Sequence, residues 1–390
     1  MPAKVIVTKC SDYGPGVQPA VDCLLAGLGG ISAFVKRGQS VLIKPNLLSN
    51  RSPDLAVTTH PDVLRAVIRR VKEAGGVPAI ADSPHSVFKI ERVWEDTGIA
   101  AVSREEGAPL INLEKAGSTP VSAHGLEFGV AKPVLDADVV INLPKVKTHM
   151  LTVLTCAVKN MYGSIPGNQK TMLHRKYPDV ATFARLLSEI CIRVKPSLSL
   201  CDGVVGMEGP GPSAGRPVRL GFLAASADPF ALDRGMCRLL RIPERAVPYL
   251  RHDPAPHAAG GSRLELCFAG TTLDDLRLPR FARPSSILGR LIPGGLVRML
   301  GRYVWMRPFI GERCKACGLC VKACPAGALR IEHGARRPEL DAARCIECCC
   351  CHEVCPHNAI EMRERRFFRT RVRGRLPGGG QAGSGGCPVA

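Results

Sequence analysis

Aromatic residues are scarce in the 390-residue chain, at 5% of its length. Single-stranded nucleic acids are bound largely by stacking bases on aromatic rings, so this scarcity argues against a nucleic-acid partner despite a formal net charge of +19. No apolar run approaches the ~18 residues of a membrane-spanning helix, and Met1 to Cys10 lacks the long apolar core of a secretory signal. A soluble, cytoplasmic protein without a membrane span is expected. GxxxxGK(S/T) and HExxH are also missing, which removes support for P-loop nucleotide and zincin chemistry.

Acid is missing locally. Residues 139–178 contain no Asp or Glu, yet hold Lys145, Lys147, Lys159, Lys170, Arg175 and Lys176 with His149 and His174. The overall basic charge is concentrated elsewhere: residues 277–313 carry eight Arg against one Glu, and residues 363–375 carry seven Arg against one Glu.

Cysteine is abundant, at 18 residues, and its distribution decides its meaning. Cys10, Cys23, Cys156, Cys191, Cys201, Cys237 and Cys267 are scattered mostly through apolar stretches, where buried reduced thiols are usual. The other eleven lie between Cys314 and the C-terminus, and such clustering points to metal rather than disulfides. Cys314-x2-Cys317-x2-Cys320-x3-Cys324-Pro325 recurs 31 residues later as Cys345-x2-Cys348-x2-Cys351-x3-Cys355-Pro356, an internal duplication. Three closely spaced thiolates grip one cubane, and in this spacing the fourth cysteine serves the other cluster. Two 4Fe–4S clusters are expected, one on Cys314, Cys317, Cys320 and Cys355 and the other on Cys345, Cys348, Cys351 and Cys324. Zinc is the competing reading, because paired CxxC also builds zinc ribbons, but two complete runs with trailing prolines favour iron–sulfur. Cys349 and Cys350 are surplus and read as spectators, since the x3 spacing to Cys355 selects Cys351.

From residue 4 to about 270, short β-branched runs alternate with helical periodicity, the pattern of an α/β fold with a mostly parallel sheet covered by helices. Strands are predicted near 4–8, 40–44, 77–81, 138–143, 197–201 and 219–225. Helices are predicted over 17–28, 61–74, 88–97, 178–194 and 229–240, the second opening on Pro61 and closing at Gly75-Gly76. The region reads as one doubly wound domain or as two lobes. Residues 271–313, rich in Pro and Arg, read as a linker with a short amphipathic helix around Ile287 to Leu300. Residues 314–362 then form a small α+β bacterial-type ferredoxin module. The Arg- and Gly-rich tail 363–390 has too few apolar residues to offset the entropy of ordering.

Ligands of open α/β sheets bind at the carboxyl ends of strands. Four predicted ends are polar: Lys44-Pro45-Asn46, Asp82-Ser83-Pro84, Lys145 to His149, and Asp202-Gly203. Turn chemistry accounts equally well for Asp82 and Asp202. If 149–162 is helical, His149, Thr152, Cys156 and Lys159 share one face, which reads as an anion site or, in the plainer alternative, a solvated basic face. Asp202 to Gly215 reads as a glycine-rich loop with Glu208 as its one later carboxylate, either structural or close to a ligand.

At Ile43-Lys44-Pro45-Asn46, Leu143-Pro144-Lys145-x-Lys147-Thr148-His149, Lys159-Asn160-x-x-Gly163 and Asp202-Gly203, followed by the ferredoxin runs, the chain resembles the uncharacterised iron–sulfur centre proteins defined by domain of unknown function 362. The resemblance covers roughly residues 4–362. His174, Glu208-Gly209-Pro210, Asp228-Pro229 and Asp233, and the doubled cysteine beside Cys351, also look like that family's recurrent positions. It implies the architecture and the place of the site, not a substrate.

Two functions stand open. In one, an oxidoreductase passes electrons from the clusters to an anionic small molecule bound by Lys44, Asn46, Lys145, Lys147, Thr152, Lys159, Asn160, Asp202 and Glu208, with His149 or His174 moving protons. In the other, a non-catalytic electron-transfer subunit docks a partner enzyme through the α/β domain and has no small-molecule affinity. Either needs a protein electron donor or acceptor. A divalent metal on Asp82, Asp202 and Glu208 has no supporting spacing.

Overall fold

A computed structural model of the chain describes residues 3–254, 264–284 and 305–365. In chain order, β1 (Lys4–Lys9) and α1 (Val17–Gly27) lead to β2 (Ser40–Pro45), α2 (Pro61–Glu73), β3 (Val77–Asp82), α3 (Ile90–Asp96), α4 (Ile99–Glu106) and β4 (Leu110–Asn112). The hairpin β5 (Ser118–Ala123) and β6 (Leu126–Ala131) follows, then α5 (Lys132–Asp136), β7 (Val139–Leu143), β8 (Lys145–His149) and β9 (Val153–Thr155). The chain continues through α6 (Ala157–Asn160), a 3₁₀ turn (Met161–Ser164), α7 (Gly167–Lys176), α8 (Val180–Val194), β10 (Leu198–Glu208), β11 (Arg216–Ser226), α9 (Pro229–Leu239) and β12 (Glu265–Phe268).

All of these strands except the β5–β6 hairpin, which pairs only with itself, form one sheet in the order β12-β1-β11-β10-β7-β2-β3-β4, with β8 against β10 and β9 against β8. Pairing is parallel except at β1–β11, β11–β10 and β8–β9. Alternation along the strands sorts the core. Ile6, Val41, Ile43, Ile80 and Ile141 face α1 and α2, whereas Val5, Val7, Leu42 and Val140 face α8 and α9. Each fully buried aliphatic side chain contributes about 1.5–3 kcal/mol, so both faces need their helices.

The helix starts follow the sequence signals. Pro61 opens α2, and Asp179 and Asp228 cap α8 and α9 by accepting backbone N–H groups of Thr182 and of Phe230 and Ala231. The expected helix 88–97 ends early, because Gly98 turns the chain at φ 75° and α4 begins at Ile99.

Two expectations need correction. Residues 149–162 are not one helix: His149 ends β8, Val153 to Thr155 are β9, and only Ala157 to Asn160 are α-helical. β-branched Val146, Thr148, Thr152, Val153 and Thr155 favour the extended chain here, and Lys147 pairs across to Thr155 and Met207. Asp202 to Glu208 is likewise strand rather than loop. Its glycines leave room for the hairpin partner, since a Cβ on Gly203 would lie 2.5 Å from the Phe222 ring.

The module pairs β13 (Trp305–Ile310) antiparallel with β16 (Ile360–Arg365), and between them lie α10 (Leu319–Lys322), β14 (Leu329–Arg330), β15 (Glu339–Leu340) and α11 (Cys350–Glu353). Its first strand therefore lies in the stretch read as linker, and its last reaches into the stretch read as tail. The expected helix around 287–300 and residues 366–390 lie outside the described residues. The module is fastened to the α/β domain: Arg51 donates to Ser213 O (2.6 Å), Cys355 O (2.5 Å) and Asn358 Oδ1 (2.7 Å).

Candidate functional site

At the carboxyl ends of β2 and β3 lies a cavity of about 80 Å³, bounded by the module. Lys44 and Asn46 reach it from β2, Asp82 and His85 from β3, and Lys147 and Thr155 from β8 and β9. Lys159, Asn160, Tyr162 and Gly163 follow from α6 and the 3₁₀ turn, and Lys170 and His174 from α7. Cys350 and Glu353 of α11 close it.

Its charges are tightly organised. Lys44 Nζ sits 2.8 Å from Asp82 Oδ1, and Asp82 also accepts N–H groups of Leu47 and Ser83. Lys147 donates to Asn46 Oδ1 and Val57 O, both at 2.7 Å. Asn46 donates to Asn160 Oδ1 (2.8 Å), and Asn160 to Asn142 Oδ1 (2.8 Å), an amide chain under the pocket floor. Lys170 donates to Ser83 O, Ser83 Oγ and Pro84 O. Lys159 Nζ stands 5.9 Å from the centre of the Tyr162 ring and has no hydrogen bond among the described residues. A Cβ on Gly163 would lie 2.5 Å from Lys44 Nζ and 2.6 Å from Asp82 Oδ1, so only glycine lets that pair face the cavity.

Four lysines against two carboxylates leave the lining at net +2. Burial is the main force lowering the lysine pKa values. Lys147 is driven well down by burial and by Lys159, Lys159 is lowered by burial, and Lys170 is pushed down to about 8. Burial leaves His85 and His174 neutral, at about 4 and about 3. Glu353 is ionised: burial opposes the charge, but contact with His149 and the field of Lys159 hold its carboxyl below the ordinary range. Such a lining attracts an anion.

Of the sequence candidates, Lys44, Asn46, Lys147, Lys159, Asn160 and His174 meet in this cavity. The others do not. Lys145 Nζ pairs with Asp202 Oδ2 at 2.8 Å and donates to Tyr13 OH at 2.7 Å in a separate cluster. Glu208 is paired with Arg216, and the Thr152 hydroxyl donates to Leu154 O (3.1 Å). His149 accepts the N–H groups of Leu151 and Thr152 on Nδ1, which puts its proton on Nε2, 3.1 Å from Glu353 Oε1. It braces the module rather than facing the cavity. Cys156, once off its supposed helical stripe, is buried in the core.

Asp82, Asp202 and Glu208 are thus engaged separately, and among the described residues no three His, Cys, Asp or Glu side chains converge on a single-ion site. Sequence reasoning missed Thr155, Cys350 and Glu353 as pocket residues. The doubled cysteine was the available hint of the module's part.

The module holds two further cavities. One is lined by Cys314, Cys317, Cys320 and Cys355, the other by Cys324, Cys345, Cys348 and Cys351. With Cys349 as an additional neighbour of the second, the eight motif cysteines sort into these linings as the two ligand sets expected of 4Fe–4S clusters. The walls are apolar: Ile310, Leu319 and Ile360 around the first, Leu329, Leu340 and Met362 around the second. Ala359 N donates to Cys355 Sγ at 3.3 Å and Ala328 N to Cys324 Sγ at 3.2 Å, equivalent positions of the two repeats.

The family model described as a domain of unknown function (DUF362) matches residues 41–238, about half of the chain. The chain belongs to the DUF362 family. A 4Fe–4S dicluster domain matches residues 313–359 of the same chain. The DUF362 match contains every cavity residue from Lys44 to Pro212, and the dicluster match contains Cys350 and Glu353. A thylakoid-associated protein of Synechocystis sp. is 38% identical over 250 residues, 64% of this chain and 78% of that protein. NADH-quinone oxidoreductase subunit I 2 of Geobacter metallireducens is 40% identical over 58 residues, 13% of this chain and 44% of that protein. The lactate racemase apoprotein of Thermoanaerobacterium thermosaccharolyticum superposes with a TM-score of 0.40 at 12% identity, over 61% of this chain and 57% of that one. Among the described residues of this DUF362 chain, no helix is long and apolar enough to cross a membrane.

Proposed function

We propose that the protein is an iron–sulfur oxidoreductase that transfers electrons to a small anion held in the lysine-rich cavity. Cys314, Cys317, Cys320 and Cys355 would hold one 4Fe–4S cluster, and Cys345, Cys348, Cys351 and Cys324 the other. When bound, the clusters supply single electrons at a potential tuned by the N–H groups on Cys324 and Cys355 and by the apolar walls.

The observation that carries the reading is the wall shared by both regions. Cys350 and Glu353 line the cavity, and Cys351 lies between them on the same short helix. Within the module Cys317 is exposed, which leaves that position open to a protein electron donor. Within the cavity Lys159 supplies charge without a protein hydrogen bond to break. His174, neutral and set between Phe183 and Tyr162, can exchange a proton at a ring nitrogen. The Tyr162 hydroxyl is committed to Lys170 O at 2.8 Å.

Mass spectrometry of anaerobically purified, cluster-loaded protein tests this. A small anion should be retained by the wild type and lost from Lys159→Ala, and adding it to dithionite-reduced protein should reoxidise the clusters. Retention without reoxidation would sink electron transfer to the anion, and no retained anion in the cluster-loaded wild type would favour the docking-subunit reading. Undiminished retention by Lys159→Ala would move the site elsewhere.

A further inference from the structure

The four cavity lysines do not share one role. Lys44 is answered by Asp82. Lys159 faces the module, where the Glu353 carboxylate supplies the negative field around it. Lys147 and Lys170 are different: both are buried, and their hydrogen bonds go only to uncharged oxygens of Asn46, Val57, Ser83 and Pro84. Neither makes an ion pair among the described residues. Two buried ammonium groups that face one cavity without a carboxylate in direct contact, held only by the longer-range fields of Asp82, Glu114 and Glu353, carry a desolvation cost that a closer counter-charge would offset.

The unsatisfied atoms agree. Thr155 Oγ1, on a residue only 3% exposed, and His85 Nε2 are buried at the lining without a hydrogen-bond partner. His85 Nδ1 accepts the Val87 N–H at 3.4 Å, so its proton sits on Nε2 as a donor. Lys147 spends two of its three N–H groups on protein oxygens. The lining carboxylates are engaged, Asp82 with Lys44 and two backbone amides, Glu353 with His149. The cavity therefore offers unspent donors and positive charge in about 80 Å³, room for several waters or a small ion.

Building on the anion-site reading above, we propose that this cavity binds a small dianion between Lys147 and Lys170, either one doubly charged oxyanion or a short dicarboxylate. The lowered proton affinity of both lysines agrees, because a bound dianion would raise it again.

Calorimetric titration of the anaerobic, cluster-loaded full-length chain decides the matter, using sulfate, malonate and malonamate, the singly charged half-amide of malonate. Malonate or sulfate should bind about tenfold or more tighter than malonamate, with proton uptake seen as a difference in heat between two buffers. Sulfate alone binding assigns a single-centred dianion, and malonate alone a two-ended one. Lys147→Gln, which keeps a donor but removes the charge, should close the gap; if it fails to fold, Lys170→Gln carries the same test. Equal binding of malonate and malonamate, both lost in Lys159→Ala, would overturn the dianion while leaving the anion site standing. Failure of every anion to bind would sink the site itself.

Discussion

Strand β8 carries Lys145 and Lys147 two residues apart on one face, both essentially without solvent contact, into two different surroundings. Around Lys145 the network is closed. Asp202 accepts from Lys145, from Tyr13 OH (2.9 Å) and from His60 N (3.0 Å), and the Tyr13 ring stacks on the His60 ring at 3.6 Å. Around Lys147 the charge is left open, with amide and carbonyl oxygens as its partners. Burial is equal in the two places, so what separates the two lysines is charge closure.

Removing the two lysines should break this comparison most sharply. Lys145→Ala strands a buried Asp202 carboxylate, and losing one member of a buried pair costs about 3–5 kcal/mol. Lys147→Ala leaves only neutral acceptors unsatisfied, a cost of about 1–3 kcal/mol. Urea unfolding followed by circular dichroism should rank them in that order, while anion binding should be lost only from the Lys147 variant among proteins that remain folded. Equal destabilisation would mean that Lys147 has an unrecognised counter-charge.

Lys44–Asp82 is a third case, closed like Lys145–Asp202 but facing the cavity. Asp82→Asn should cost about 2–4 kcal/mol, because an amide cannot accept from Lys44, Leu47 N and Ser83 N as the carboxylate does. The same change adds an uncancelled positive charge to the lining, so anion affinity should rise as stability falls. Parallel loss of both would show that Asp82 shapes the site rather than its charge.

Gly163→Ala asks the smaller question of space. A methyl group must displace the Lys44–Asp82 pair, and overpacking of this kind costs about 1–3 kcal/mol. Anion affinity should drop with the iron content unchanged, as calorimetry and metal analysis would read. Unaltered affinity would mean that the pair moves without disturbing the ligand.

How much of this the sequence showed depended on how local each feature is. The cysteine runs could be read in full because each is confined to a dozen residues and is duplicated. The sheet was legible from its β-branched runs, and Lys44, Asn46, Lys147, Lys159, Asn160 and His174 from strand ends and the acid-free segment. That segment misled about Lys145, because its counter-charge, Asp202, arrives 57 residues later across the sheet. Glu353 comes from the module, beyond any local pattern, and His149 was taken for a proton carrier because its partner Glu353 could not be foreseen. The supposed 149–162 helix fitted a three-to-four spacing that is in fact spread over a strand end, a turn, a second short strand and a single helical turn.

The smallest effect concerns pH and follows from the lowered pKa of Lys170. Burial is the largest force on Lys170; Asp82 and Glu114 pull its pKa up and Lys44 and Lys159 push it down, with the result near 8 instead of 10.5. Below about pH 8 the ammonium is charged and available to an anion, and above it the charge is lost, so anion affinity should fall as pH rises through about 8. Stability of the unliganded protein should move the other way. Between about 8 and 10.5 the unfolded chain keeps a proton at this lysine that the folded chain has released, so unfolding takes up a proton and Lys170's contribution to stability grows with pH. Calorimetric affinities and urea midpoints measured from about pH 7 to about pH 9.5 should therefore diverge, and Lys170→Gln should remove the affinity step. An affinity that stays level through pH 8 in the wild type would show that the ligand does not use the charge of Lys170, leaving Lys147 and Lys159 to hold it.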